Sequence, residues 1–396
     1  MTEPTPPELA ERAEPTVLAD HPVQTNRSGA PRLAGPDVTR AIALIGVVVM
    51  NYHGYLNGGD DHIRRSYAER VFDPYQGPLS TRFAATFVLV AGMGVAMLTN
   101  RSRLSGDRAA VRDDRWRLAR RGLLLFTFGL LIEWVWNGTI LFFYGAYFMV
   151  SALLFTLRAR WLIVVGTVAA LAAAGIAWFR IERKLDGDPT AWLEPRITSP
   201  RNLVLRVFVG YTHPLLPWLA FLCAGIILGR LLPRMNELRP KLLAVGFAMF
   251  AGSYLVNFVG LRWATDNFKS TDDSAYRWRG LLSTGPFDRG LLYTIGTLGS
   301  SIVAYAAISW VAERWSTSPP IDLLRHAGQM TLTIYVLHVL TFNAVVHWWG
   351  LVGSTGLDTA LVFSLVFWVT AIAFGAWWHR FLGLGPLERI YRSFGG

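Results

Sequence analysis

Past residue 35 the chain alternates between long apolar runs and shorter polar breaks, and this pattern sets the fold class. Apolar windows recur at about 38 to 56, 82 to 98, 121 to 137, 139 to 157, 161 to 179, 213 to 231, 241 to 260, 288 to 312, 328 to 349 and 356 to 378. Each approaches the roughly 20 residues a helix needs to cross the hydrocarbon core of a bilayer. Within lipid, only helices and closed barrels satisfy every backbone N–H and C=O. The runs are continuous and do not alternate with period two, so the pattern predicts an all-α polytopic integral membrane helix bundle with about ten transmembrane helices. Residues 1–35, rich in Pro, Glu, Ala and Thr, lack an apolar stretch of signal-peptide length. They read as a disordered cytoplasmic tail ahead of one membrane domain, 36–396.

Composition agrees: 52% of the 396 residues are hydrophobic and only 16% charged, too few charges to wet a soluble domain of this length. The formal charge of +11 would suggest a nucleic-acid partner in a soluble protein. Here the basic residues lie between apolar runs, so they read as topology signals and lipid-headgroup contacts, with no nucleic acid implied. With the amino terminus inside, 23 basic residues fall on the cytoplasmic face and 15 outside, most of the latter in long loops that count for less. That predicts both termini in the cytoplasm (N-in/C-in). Eight arginines from Arg101 to Arg121 then lie inside. Outer loops 57 to 81, 180 to 212 and 261 to 287 carry Trp, Tyr, Asp and Arg and suit an external binding surface. One cysteine, Cys223, excludes an intramolecular disulfide and a thiolate metal cluster. No metal is implied. HExxH, P-loop and GxSxG motifs are all missing, which removes zinc protease, ATPase and common serine hydrolase readings.

Polar side chains within spanning helices are costly and mark candidate sites, although many only join helices. The first helix is the richest, running from Asp37 through Arg40 and Gly46 to Asn51, Tyr52 and His53. Arg40 and Asn51 are about 16 Å apart along it. One helix can therefore touch an anionic group at the inner interface and a reaction centre deeper in the membrane; equally, Arg40 can snorkel and Asn51 can bind a neighbouring helix. Asn57-Gly58-Gly59-Asp60-Asp61-His62 follows as a Gly-rich turn in which a neutral imidazole with an adjacent acid could act as a base. Glu133 and His338 are further candidates. Thr331, Tyr335 and His338 share one helix face and read as a buried polar seam. Arg115, Arg117, Arg120 and Arg121 fix topology or hold the phosphates of a cytosolic nucleotide-bearing donor.

The opening Asp37-x-x-Arg40…Gly46…Asn51 resembles that of the YeiB-like bacterial membrane proteins, also called domain of unknown function 418. "FVLVAGMGVAM" from Phe87, "NGTILFFYGAYFMVSALL" from Asn137, "AGQMTLTIYVLH" from Ala327 and "GPLERIYR" from Gly385 resemble further segments of that family. The chain departs from it at Ala41 (Gly in the family), Gln329 (Arg) and Ile334 (Asn). This family is similar in turn to the heparan-α-glucosaminide N-acetyltransferases, membrane enzymes that carry an acetyl group from cytosolic acetyl-CoA to a sugar amine. Their first helix places a catalytic His eleven residues after its Asn. His62 stands eleven residues after Asn51, while His53 falls where that enzyme has glycine.

The resemblance implies a membrane-bound acyltransferase that uses acetyl-CoA or another acyl-CoA as co-substrate. Arg40, Arg120 and Arg121 would hold the donor, His62 would act as base, Asn51 would bind the oxyanion, and His53 would support the pair. An extracytoplasmic saccharide or cell-envelope glycolipid would be the acceptor. The Ala-, Arg- and Gly-rich bias suits the cytoplasmic (inner) membrane of a high-GC bacterium. Two alternatives use the same polar groups: a lipid or glycolipid transporter, and a non-catalytic scaffold of envelope synthesis.

Overall fold

The structure, a computed structural model, describes residues 33–57, 66–187, 199–210, 212–353 and 356–395. The expected tail before residue 33, and Asp60, Asp61 and His62, lie outside them. Fifteen α-helices follow in chain order: α1 (Ala34–Leu56), α2 (Tyr67–Val71), α3 (Arg82–Ser105), α4 (Arg108–Ile132), α5 (Leu141–Leu154), α6 (Ala159–Leu185), α7 (Pro200–Phe208), α8 (Leu215–Arg230), α9 (Met235–Asn267), α10 (Asp273–Leu281), α11 (Leu291–Arg314), α12 (Pro319–Gln329), α13 (Thr331–Phe342), α14 (Leu357–Leu382) and α15 (Pro386–Gly395). No strand occurs among the described residues.

Every apolar window coincides with one of these helices. Seven are long and apolar enough to cross a membrane: α1, α3, α6, α9 with the turn before it, α11, α13 with the π-helical turn that continues it, and α14. Helices α5 and α8 are apolar but shorter, and only the second half of α4 is apolar because its first half carries the arginines. The chain is therefore a multi-pass helical membrane protein.

Burial sorts these helices into inner and outer ones. In α1, 67% of the apolar window is buried within the protein, against 11% in α9, so α1 is the central helix. It packs on α3, α11, α12 and α14. Phe247, Phe258 and Val259 of α9 and Leu365, Val366 and Val369 of α14 are exposed, as a lipid-facing surface requires. Between helices the lipid offers no hydrophobic drive, so close backbone approach takes its place. A Cβ at Gly225 of α8 would lie 2.0 Å from the Leu89 carbonyl of α3, and one at Gly92 would lie 2.3 Å from the Leu222 carbonyl. Only glycine fits either position.

Among the described residues, short helices occupy parts of the breaks between spans. A capping box between Ser66 and Glu69 starts α2, and Ser199 caps α7 through the Asn202 N–H. Helix α10 is tied to α6 by a two-point pair in which Arg277 Nε and Nη2 donate to the Glu182 carboxylate at 2.8 and 2.9 Å. The start of α1 lies beside the end of α11, where a Cβ on Gly35 would meet Ser309 at 2.8 Å. An N-in/C-in arrangement predicts that cysteines replacing Ser105 and Ser318 are shielded from impermeant thiol reagents in intact cells. A cysteine replacing Ser274 should react, and labelling at position 105 from outside would overturn this topology.

Candidate functional site

At the end of the bundle where α1 begins, polar groups join α1 to α12. The Asp37 carboxylate accepts from Arg40 Nη1 and from Gln329 Nε2, each at 3.2 Å, and Arg40 also donates to the Gly328 carbonyl at 3.3 Å. A Cβ on Gly328 would fall 1.9 Å from the Asp37 carbonyl oxygen, so glycine lets α12 cross against α1. Gln329, where the resembled family has arginine, still supplies an N–H to Asp37. Ile334, in place of the family's asparagine, is fully buried in the apolar core.

The closing Gly-Pro-Leu-Glu segment has a mechanical role. The Glu388 carboxylate accepts from the Leu332 N–H (2.7 Å), the Thr333 N–H (3.0 Å) and the Thr333 hydroxyl (2.5 Å). A carboxylate thus binds the unpaired donors and the positive end of the α13 dipole, tethering α15 beneath α13. Arg120 donates to the Gly395 carbonyl at 3.2 Å, and the Arg121 guanidinium lies 5.1 Å from the centre of the Tyr391 ring. Burial pushes the Tyr391 phenol up, against the opposing fields of Arg121, Arg40 and Arg392. Arg121 thus packs on Tyr391, whereas the contacts of Arg40 are with Asp37 and Gly328.

Further along α1, Asn51 meets His338 of α13, with Asn51 Nδ2 and His338 Nε2 3.2 Å apart. The tautomer follows from the other ring nitrogen. His338 Nδ1 bonds the Tyr335 carbonyl, which can only accept, so Nδ1 carries the proton and Nε2 accepts from the Asn51 amide. One of the two amide hydrogens of Asn51 is thereby used, and the second has no acceptor among the described residues. Next door, the Tyr52 hydroxyl donates to the His338 carbonyl at 3.0 Å while its ring stacks on Phe363 at 4.5 Å. Trp136 presents its face or edge to the same imidazole at 5.5 Å.

Tyr335 continues the seam. Its hydroxyl is 3.0 Å from Thr139 Oγ1 and accepts the Ile140 N–H at 3.2 Å. The face shared by Tyr335 and His338 is thus a buried polar seam, as its spacing indicates; Thr331 lies outside this network. Glu133 bonds Arg206 of α7, and both are buried.

His53 points elsewhere. Two residues along a helix are about 200° apart around its axis, so Asn51 and His53 face nearly opposite sides of α1. The His53 imidazole is buried and its Nδ1 donates to the Phe72 carbonyl at 2.8 Å, which leaves the Nε2 lone pair unused among the described residues. Beside it, Pro74 packs at Gly54, where a Cβ would meet the proline ring at 3.1 Å. The structure therefore brings Asn51 together with His338, but does not bring His53 to Asn51, and Arg40 and Arg121 have different partners, Asp37 with Gly328 for the one and Tyr391 for the other. Sequence reasoning named Tyr52 without giving it a role and passed over Trp136; neither carries a charge, and both read as ordinary interface aromatics.

No curated protein matches the chain. Residues 230–395 match a family described as protein of unknown function (DUF418). Residues 32–256 match the family described as heparan-alpha-glucosaminide N-acetyltransferase, catalytic. The contacts of Asn51 with His338, Arg40 with Gly328 and Asp37 with Gln329 each join the amino-terminal matched segment to the carboxyl-terminal one, so the two segments build a single site region. Since the second of these matches covers more than half of the chain, from α1 into α9, the protein belongs to the heparan-alpha-glucosaminide N-acetyltransferase catalytic family.

Proposed function

We propose that this protein transfers an acyl group, acetyl in the simplest case, from cytosolic acyl-CoA to a saccharide or glycolipid on the outer face of a bacterial cytoplasmic membrane. The observation that carries this reading is the catalytic-family match over 32–256, which contains Arg40, Asn51, His53, His62, Arg120 and Arg121. The layout of α1 supports it. Its first turns carry Arg40, a charge suited to a nucleotide phosphate, and Asn51 lies about 16 Å further along, within the protein.

In this scheme His62 removes the proton from the attacking acceptor hydroxyl or amine as that atom bonds to the thioester carbonyl carbon. The developing oxyanion takes the remaining Asn51 amide hydrogen, while His338 keeps the amide oriented by accepting the other. Collapse breaks the C–S bond, and the CoA thiolate leaves with a proton returned from the imidazolium. An acyl-histidine intermediate would divide the same chemistry into two steps. His53, its tautomer set by Phe72, supports the outer end of α1.

Purified protein incubated with radiolabelled acetyl-CoA should show saturable binding and acceptor-dependent transfer, and failure to bind any acyl-CoA would remove the reading. Arg40→Ala or Arg121→Ala should weaken acyl-CoA binding about tenfold to a hundredfold, since a charge-assisted contact contributes roughly 1.5 to 3 kcal/mol. Arg40 also holds Asp37 and Gly328, so thermal stability must be followed in the same samples. Unchanged affinity in both variants would assign the arginines to topology and helix packing alone.

A further inference from the structure

Helix α3 begins with Arg82, an arginine that looks from its position like an ordinary interfacial anchor. Its guanidinium, only partly buried, is instead held by neutral groups. Nε donates to the Pro78 carbonyl at 2.6 Å, Nη1 to Ser300 Oγ at 2.8 Å and Thr297 Oγ1 at 3.3 Å, and Nη2 to the Tyr254 hydroxyl at 2.9 Å. The rings of Phe250 and Tyr254 lie 5.3 and 5.7 Å from its central carbon. Four of five N–H groups are used, one on Nη2 remains, and no carboxylate among the described residues pairs with the charge.

This charge borders a cavity of about 190 Å³ whose polar lining includes Gln76, Ser80, Arg82, Tyr254, Thr284 and Tyr293. That is far above the roughly 10 to 15 Å³ that lodges a single water, so the space admits more than a bare anion. Two acids lie nearby and neither neutralises Arg82. Asp73 Oδ1 accepts the Tyr75 and Gln76 N–H groups at 2.8 and 3.0 Å, and Asp288 is exposed and bonded to Ser283. The lining thus combines an uncompensated, oriented guanidinium with several hydroxyls and an amide. A phosphate ester joined to a polyol or sugar ring meets that chemistry: the phosphate answers the charge and the ring hydroxyls answer the rest.

The cavity also adjoins the candidate site. The segment that starts at Phe72, acceptor of the His53 hydrogen bond, passes Pro74 at Gly54 and reaches the cavity wall at Gln76. We infer that this cavity is the acceptor subsite and that it recognises a phosphate-bearing polyol or sugar headgroup through Arg82; the word acceptor rests on the acyltransferase reading, whereas the phosphate site does not.

The test uses the full chain in nanodiscs of phosphatidylcholine. In one arm glucose 1-phosphate and glucose are titrated as soluble probes. In the other, phosphatidylinositol is mixed into the nanodisc and its retention read by native mass spectrometry. The phosphorylated probe of at least one arm should bind, with glucose failing, and Arg82→Gln should weaken it about tenfold or more. Arg82 also ties three helices, so Gln76→Trp, which fills the cavity and leaves the arginine in place, provides the second variant and should abolish binding. Arg82-dependent retention in the lipid arm alone identifies a lipid headgroup, and dependence in the soluble arm identifies a free sugar phosphate; both support the site. Binding unchanged in both variants, or absent from both arms, overturns it. Acyl-CoA binding measured on the same samples separates this failure from failure of the acyltransferase reading.

Discussion

Replacement of His62 by alanine is expected to cut acyl transfer by roughly a hundredfold to ten-thousandfold, the range for loss of a general base, while acyl-CoA binding persists. Asn51→Ala should lower turnover by a similar order because it removes the oxyanion donor. It also breaks the link to His338, which can loosen packing between α1 and α13 by about 0.6 to 2 kcal/mol, so unfolding temperature must be recorded beside activity. His338→Ala separates the two effects. If His338 only orients the amide, its loss should reduce turnover less than loss of Asn51 and leave donor affinity unchanged, and His338→Gln, whose carbonyl can accept from the amide, should restore part of it. Should His53→Ala abolish transfer while His62→Ala retains it, the eleven-residue spacing is coincidental and the base lies inside α1. Such a result would keep the acyltransferase and displace its reaction centre.

Arg206→Ala should be the most destabilising single substitution considered for this protein, by about 3 to 5 kcal/mol. It strands the buried Glu133 carboxylate without its partner, and an uncompensated buried charge carries that order of penalty. Replacing both, as in Glu133→Gln with Arg206→Met, removes the charge and the partner together and should recover most of the loss. Denaturant unfolding in mild detergent, applied to the single and double variants, checks the pattern. A double variant no more stable than Arg206→Ala would mean that the arginine acts through its packing on Phe142, whose ring lies 5.6 Å from the guanidinium carbon, and not through charge.

The two expectations rest on features that differ in how far sequence reveals them. Asn51 stands out in a string of letters because an amide inside an apolar run is expensive in lipid and so needs a reason. Its partner does not stand out. His338 lies 287 residues away, and which face of α13 turns toward α1 depends on helix rotations that no local pattern specifies. The same holds for Glu388: a resemblance marks "GPLERIYR" as a recurring ending, but only the folded chain brings that carboxylate onto the first turn of α13. Arg82 was hidden for a different reason. At the start of a spanning helix, an arginine that snorkels to headgroups and one enclosed by Tyr254, Thr297 and Ser300 are written identically.

By itself, then, the sequence determined the all-helical membrane class, the position of each apolar helix and the short list of intramembrane polar residues. These follow from local composition and from the backbone's need for internal hydrogen bonds in lipid. Tertiary structure decided which of those residues meet. It paired Asn51 with His338 and Arg40 with Asp37 and Gly328, set Arg121 on Tyr391, turned His53 away toward Phe72, and placed Arg82 at the edge of a cavity. The physical reason is that apolar periodicity constrains a helix to lie in the membrane but scarcely constrains its rotation about its own axis. That rotation is set by close crossings such as Gly328 on Asp37 and Gly225 on Leu89, where a missing Cβ matters only once the opposing backbone has arrived.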